Sequence, residues 1–279
     1  MSRGKRVLRI LVIAAATLAA GYALICLLVY LFQARLVYMP KQEIEATPAD
    51  IDLPYEDVSF QARDGTRLTG WLVPADPARG TVLFCHGNAG NVSHRLDTLR
   101  ILHHLRVNTL IFDYRGYGES EGTPSEEGTY RDAEAAWQWL VGDRGIDRAR
   151  IVVFGRSLGG GVASWLAVEQ EPPGLILEST FTSLPDVGAR VYPFLPVRLL
   201  ARIHYPTVER LPLVACPILV AHSPDDELIP YAHGRRLYEV ASEPKHFLEL
   251  DGDHNDGYLL TGQPYLDGLD RFLTRCLGE

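Results

Sequence analysis

The chain has 279 residues, 47% hydrophobic and 22% charged, with 25 Gly and 18 Pro. This near-average composition excludes a disordered chain, a collagen-like repeat and a disulfide scaffold. The formal net charge of -8 offers no basic surface, so nucleic acid is not an expected partner. The length suits one large domain or two small ones, either with core enough to fold unaided.

The first element differs from all that follow. Residues 10–32 (ILVIAAATLAAGYALICLLVYLF) hold no charge, and 23 helical residues rising about 1.5 Å each span the roughly 30 Å hydrocarbon core of a bilayer. The run predicts a single transmembrane helix over 10–32, with the lipid bilayer as partner. Arg3, Lys5, Arg6 and Arg9 precede it, against Arg35 and Lys41 after it, so the positive-inside rule puts a basic tail, 1–9, in the cytoplasm and the body on the extracytoplasmic side. The competing reading is a cleaved signal peptide. Its apolar stretch would be shorter, about 7–15 residues, and no small-x-small site with a polar mature start follows Leu24. Residues 1–41 hold six of the 27 basic residues and none of the 35 acidic ones, leaving 21 minus 35, or -14, for residues 42–279. An anionic lipid surface repels such a body, so the helix has to be the attachment. Cys26, Cys85, Cys216 and Cys276 have no metal-ligand spacing and no disulfide-framework pattern.

A Pro- and acid-containing linker, 33–54, leads into a body at 55–279. Residues 58–60 and 68–73 alternate like an antiparallel hairpin around Asp64-Gly65. Apolar, strand-like runs follow at 81–85, 109–112, 151–154, 175–177, 218–221 and 247–250. Amphipathic helical patterns lie between most of them, at 94–105, 129–141, 158–169 and 231–241, with a last one at 265–277. Fully apolar strands alternating with helices predict an α/β fold: a mostly parallel sheet covered on both faces. Residues 182–213 carry five prolines and no clear strand, and are expected to form a small cap after the sixth of eight strands.

Chemistry in such a fold belongs in the loops at the carboxyl ends of strands. After 151–154 comes Gly155-Arg156-Ser157-Leu158-Gly159, where small residues two before and two after a serine permit a sharp strand-to-helix turn that lifts its Oγ clear of the sheet. A Gly-rich turn capped by Ser is the bland alternative. After 81–85 comes His86-Gly87-Asn88-Ala89-Gly90-Asn91, a loop suited to aiming backbone N–H groups at a developing oxyanion. The Asn88 and Leu158 amides are the natural pair. The bland alternative here is a loop that only turns the chain. A serine hydroxyl needs a base and an orienting acid. The strand-end segments His222-Ser223-Pro224-Asp225-Asp226 and Asp251-Gly252-Asp253-His254 supply them in the order Ser, Asp, His, with His254 as base for Ser157 and Asp226 as its orienting acid.

Taken together, these segments resemble the α/β-hydrolase superfamily over about residues 55–278. The stretch Asp113-Tyr114-Arg115-Gly116-Tyr117-Gly118-Glu119-Ser120 resembles that superfamily's D-x-R-G-x-G-x-S turn, normally structural. With the N-terminal apolar helix, H-G-N-A-G-N and G-R-S-L-G-G are most similar to small membrane-associated ABHD-type serine hydrolases, a branch that includes lysophospholipases and acyl-protein thioesterases. The resemblance implies eight strands with the second antiparallel and no cofactor or metal. It places the catalytic acid at Asp226, although Ser223 replaces the usual Gly of the motif and Asp225 stands beside it. It also implies a membrane-anchored hydrolase of carboxylic ester or thioester bonds in amphiphilic substrates, acting through an acyl-enzyme on Ser157. Two alternatives stay open: an aminopeptidase-like enzyme, with Glu178, Asp186 or Glu227 available to hold a substrate amine, and a catalytically inactive membrane-tethered binding module. The apolar stretch 191–200 in the cap is either core closure or an acyl-chain entrance.

Overall fold

The computed structural model describes residues 3–278; Met1, Ser2 and Glu279, the extremes of the expected tail and body, lie outside the described residues. Helix α1 runs from Arg3 to Val37 with none of its residues buried. It exceeds the apolar run at both ends, because neither the basic N-terminal flank nor residues 33–37 contain a proline to stop it before Pro40.

The sheet has eight strands in the order β1-β2-β4-β3-β5-β6-β7-β8. They are β1 (Glu56–Gln61), β2 (Arg67–Val73), β3 (Thr81–Cys85), β4 (Asn108–Phe112), β5 (Ile151–Arg156), β6 (Leu175–Glu178), β7 (Ile218–His222) and β8 (Lys245–Glu249). Strand β2 runs antiparallel to both neighbours, and all other pairings are parallel. The β1–β2 turn forms as its sequence dictates: Gly65 takes a φ of +84°, and Asp64 Oδ1 accepts from Thr66 Oγ1 at 2.8 Å.

The inner strands are apolar over most of their length because each face meets helices, and their polar residues fall at the strand ends. Leu83, Cys85 and Val153 point into one core with Ala136 and Leu166, while Val82, Phe84 and Val152 point into the other with Leu102 and Phe272. Thus α3 (Glu126–Gln138), α4 (Leu158–Gln170) and α8 (Tyr231–Val240) cover one face. Helices α2 (Leu96–His104) and α10 (Gln263–Leu277) cover the other. Strand β8, at the sheet edge, is only half-buried, and it lies about two residues earlier than the apolar run 247–250 suggests. A short α9 (Gly257–Leu260) follows it.

The interval 182–213 lies between β6 and β7 and is helical: α5 (Leu184–Val191), α6 (Val197–Leu200) and α7 (Thr207–Arg210). Ser183 caps α5 by accepting from the Asp186 N–H. The cap keeps Val191, Tyr192, Phe194 and Leu199 exposed, the last at 85%. It also touches α1: Tyr22 Oη donates to the Phe194 carbonyl at 2.9 Å, and Gln33 bonds Leu200 O and the Arg202 N–H. The segment read as a linker is strapped to the body, with Tyr38, Pro48 and Leu53 buried and Pro40 bridged to Gly90. All four cysteines are free.

Candidate active site

Ser157 sits between the end of β5 and the start of α4 with φ 52° and ψ -120°, a conformation that costs a non-glycine residue on the order of 1–3 kcal/mol. The surrounding structure holds it there. Its N–H donates to Glu178 O at 2.9 Å, and its carbonyl accepts from Thr180 Oγ1 at 2.6 Å. The glycines on either side are needed for space: a Cβ on Gly159 would collide with the Cys85 and His86 carbonyls, and one on Gly155 with the Gly159 backbone and Ala163. The pattern G-x-S-x-G thus records how closely α4 crosses the ends of β3 and β5.

Ser157 Oγ lies 3.0 Å from His254 Nε2, and His254 Nδ1 lies 2.8 Å from Asp226 Oδ2. A carboxylate at Nδ1 fixes the proton there and leaves the Nε2 lone pair facing the serine hydroxyl. Asp226 Oδ1 accepts from the Ile229 and Leu228 N–H groups at 2.7 and 3.0 Å. Burial by itself would push the Asp226 carboxyl up. Hydrogen bonds from His222 and His254 and the Ile229 N–H outweigh it and hold the carboxyl well below its ordinary range. Asp225 is exposed, and its N–H is taken by Ser223 Oγ. The structure therefore brings Asp226, not Asp225, to His254.

The loop 86–91 lies against the serine, since a Cβ on Gly87 would stand 3.4 Å from Ser157 Cβ. Arg95 donates to the Gly87 and Ala89 carbonyls, which fixes the backbone of the loop. Among the described residues neither the Asn88 nor the Leu158 N–H has an acceptor, which leaves both amides available. The turn 113–120 is structural: the Arg115 guanidinium clamps Asp132 at 2.7 Å and Asp64 at 2.9 Å, and Ser120 Oγ donates to Asp113 O.

The supporting contacts of several residues have no signal in the sequence. Ser223 Oγ donates to Gly252 O at 2.5 Å, tying the Asp226 loop to the His254 loop, and this gives a use to the serine that stands where the family motif has Gly. His222 is buried with Nε2 2.8 Å from Ile229 O and 3.4 Å from Asp226 Oδ2, so it braces Asp226. Beneath the turn, Arg156 pairs with Glu178, donates to Thr98 Oγ1 at 3.0 Å and stacks on Tyr258 at 3.8 Å. That pairing removes Glu178 from the residues able to hold a substrate amine. Asp186 is likewise engaged, by Ser183, Thr182 and Arg198. Glu227 is exposed and unpartnered among the described residues. No group of three or more His, Cys, Asp or Glu among the described residues is arranged to hold a metal ion.

The Arabidopsis thaliana alpha/beta hydrolase domain-containing protein WAV2 is 38% identical over 275 residues, covering 89% of each chain. The chain belongs to the α/β-hydrolase superfamily. An uncharacterized protein of Mycobacterium tuberculosis is 44% identical to this hydrolase over 245 residues, 87% of each. A family model described as serine aminopeptidase, S33, matches residues 76–213, a span that includes Ser157 and ends before Asp226 and His254. Among solved structures, the Pyrococcus furiosus esterase Pf2001 shares the fold with TM-score 0.73 at 23% identity, covering 86% of this chain and 100% of its own. A Mycobacterium tuberculosis puromycin-hydrolyzing peptidase shares it with TM-score 0.67 at 21% identity, covering 81% of this chain and 40% of its own. The hydrolase is thus an enzyme of the serine-hydrolase type, related to esterases and S33 peptidases.

Proposed function

We propose that this hydrolase cleaves acyl bonds through a covalent intermediate on Ser157, with His254 as general base and acid, Asp226 as the group that orients and stabilises the imidazolium, and the Asn88 and Leu158 amides as oxyanion donors. The observation that carries the proposal is the unbroken relay from Ser157 Oγ through His254 to Asp226, at 3.0 and 2.8 Å. Attack on a carbonyl transfers the Ser157 proton to His254, which returns it to the leaving group; water then repeats the sequence and releases the acid.

Two leaving groups compete. The comparisons favour the peptidase alternative over the ester reading, because the matching family model is described as a serine aminopeptidase and one structure of the same fold is a peptidase. In that reading the substrate amine needs an anion, and Glu227, one residue beyond Asp226, is the free one of the three candidates. The second reading, an ester or thioester of an amphiphilic acyl chain, is favoured by a different observation. The exposed cap residues Tyr192, Phe194 and Leu199 stand beside the apolar α1. Here residues 10–32 cross the bilayer, the tail 1–9 is cytoplasmic, and the catalytic body from residue 55 lies on the extracytoplasmic side, with the cap, bonded to α1 at Tyr22 and Gln33, dipping into the lipid beside the outer half of the helix. Helix α1, at 35 residues and about 1.5 Å each, is long enough. Effective concentration at the membrane then selects amphiphiles.

Aminoacyl p-nitroanilides and p-nitrophenyl esters of two to sixteen carbons separate the two. Peptidase action predicts higher kcat/KM on the anilides and at least a tenfold loss there in Glu227→Gln, with ester turnover unmoved. Rising turnover with ester chain length and no anilide cleavage would leave only the second reading.

A further inference from the structure

The end of α1 does more than connect. Asn88, whose backbone amide is one of the two candidate oxyanion donors, has both ends of its side chain occupied by groups outside the loop. Its Nδ2 donates to the carbonyl of Val37, the last residue of α1, at 2.5 Å. Its Oδ1 accepts from Tyr117 Oη at 2.8 Å and from the Met39 N–H at 3.4 Å. Two residues on, Gly90 N–H donates to Met39 O and Lys41 N–H to Gly90 O, each at 3.1 Å, which makes the Pro40–Gly90 bridge. Lys41 O in turn accepts from Gly118 N–H at 2.8 Å and from Asn91 Nδ2 at 3.2 Å. Residues 37–41 and the loop 88–91 are therefore one hydrogen-bonded unit, and Gly87, the residue just before it, lies against Ser157.

We propose that this junction holds the oxyanion loop in register with Ser157, and that the Asn88 side chain is a positioning residue acting through its own backbone amide. Helix C-termini leave carbonyls without partners, and Val37 offers one of them to a side chain that can donate and accept at once. Asp in its place would keep the contacts at Oδ1 but could not donate to Val37 O; Ala would lose both. The helix that the sequence marks as a membrane anchor is in this account also a structural part of the catalytic site. The proposal rests on Ser157 being the nucleophile.

The test uses the full chain in detergent, with p-nitrophenyl butyrate as substrate and active sites counted by a fluorophosphonate. Losing one oxyanion donor costs about 10²–10³ in kcat, so displacing one is expected to cost about 10- to 100-fold. The expected result is that fall in kcat per titrated site for Asn88→Ala and Asn88→Asp, with KM within about threefold. Affinity for a trifluoromethyl ketone, which forms a tetrahedral adduct on serine, falls in parallel with kcat/KM. Tyr117→Phe, which removes one hydroxyl, is expected to lose less. Two glycines inserted between residues 37 and 38 reproduce the Asn88→Ala loss, and the same insertion between residues 45 and 46 does not. A purely structural role would lower the number of titrated sites and leave kcat per site and ketone affinity unchanged, and that result overturns the proposal. A wild-type chain that neither hydrolyses the ester nor takes the label overturns the nucleophile assignment instead.

Discussion

Two buried carboxylates stand at the ends of neighbouring strands, and their partners separate what they do. Glu178, closing β6, faces Arg156 and Tyr265 Oη, groups that remain donors at any ordinary pH, in a pocket sealed by Thr98 and Tyr258. Asp226, just beyond β7, faces an imidazole whose other nitrogen reaches Ser157, which is only part-buried. One pair braces the turn; the other can pass a proton. Under the proposed mechanism a buried carboxylate in this sheet takes part in chemistry only where its partner titrates and reaches Ser157, so burial and pairing alone do not identify it.

Substitutions can break this contrast. The largest effect is expected at the acid: Asp226→Asn should lower kcat about 10³- to 10⁴-fold by destabilising the productive imidazole tautomer, while Asp225→Asn should stay within about twofold. Steady-state kinetics on one chromogenic substrate decides this, and equal losses at the two positions would erase the distinction. Glu178→Gln should act the other way round. It leaves Arg156 without its countercharge, so stability should fall by roughly 3 kcal/mol in denaturant titration while the pH profile of kcat/KM keeps its shape. A moved acid limb in that variant would mean that Glu178 also takes part in the chemistry.

The smallest effect concerns pH and stability. The Asp226 carboxyl is held below its ordinary range when folded, so its contribution is fully present above the unfolded pKa of about 3.9 and fades as pH falls below it. Asp226→Asn should therefore lose less stability than wild type between pH 5 and pH 2. Thermal midpoints across that range measure it, and parallel curves would argue against a depressed carboxyl.

The same contrast explains what the sequence made legible. Apolar runs bounded by Gly, Pro and Asp-Gly turns mark the inner strands because two-sided burial leaves few polar positions, alternation marks β1, and the eight runs correspond to the eight strands of the sheet. Ser157 stood out because only glycine fits at positions 155 and 159, and His254 because it follows the last strand. Asp226 and Asp225 could not be separated by residue type, since the choice depends on which one the Leu228 and Ile229 amides fold around. The Arg156–Glu178 pair and the contact of Asn88 with Val37 join residues 22 and 51 positions apart, and no periodicity reports such contacts. Residues 33–54 read as a linker on composition, yet the side chains of Tyr38 and Leu53 are buried in the two apolar cores of the body, and residues 39–41 supply backbone partners to the 88–91 loop.

Intact-mass analysis of the full chain after reaction with a fluorophosphonate tests the central claim most directly. The relay from Ser157 through His254 to Asp226 predicts a single adduct mapping to Ser157, absent in Ser157→Ala and formed far more slowly in Asp226→Asn than in Asp225→Asn. An unmodified wild-type chain, or an adduct on any other residue, would contradict it.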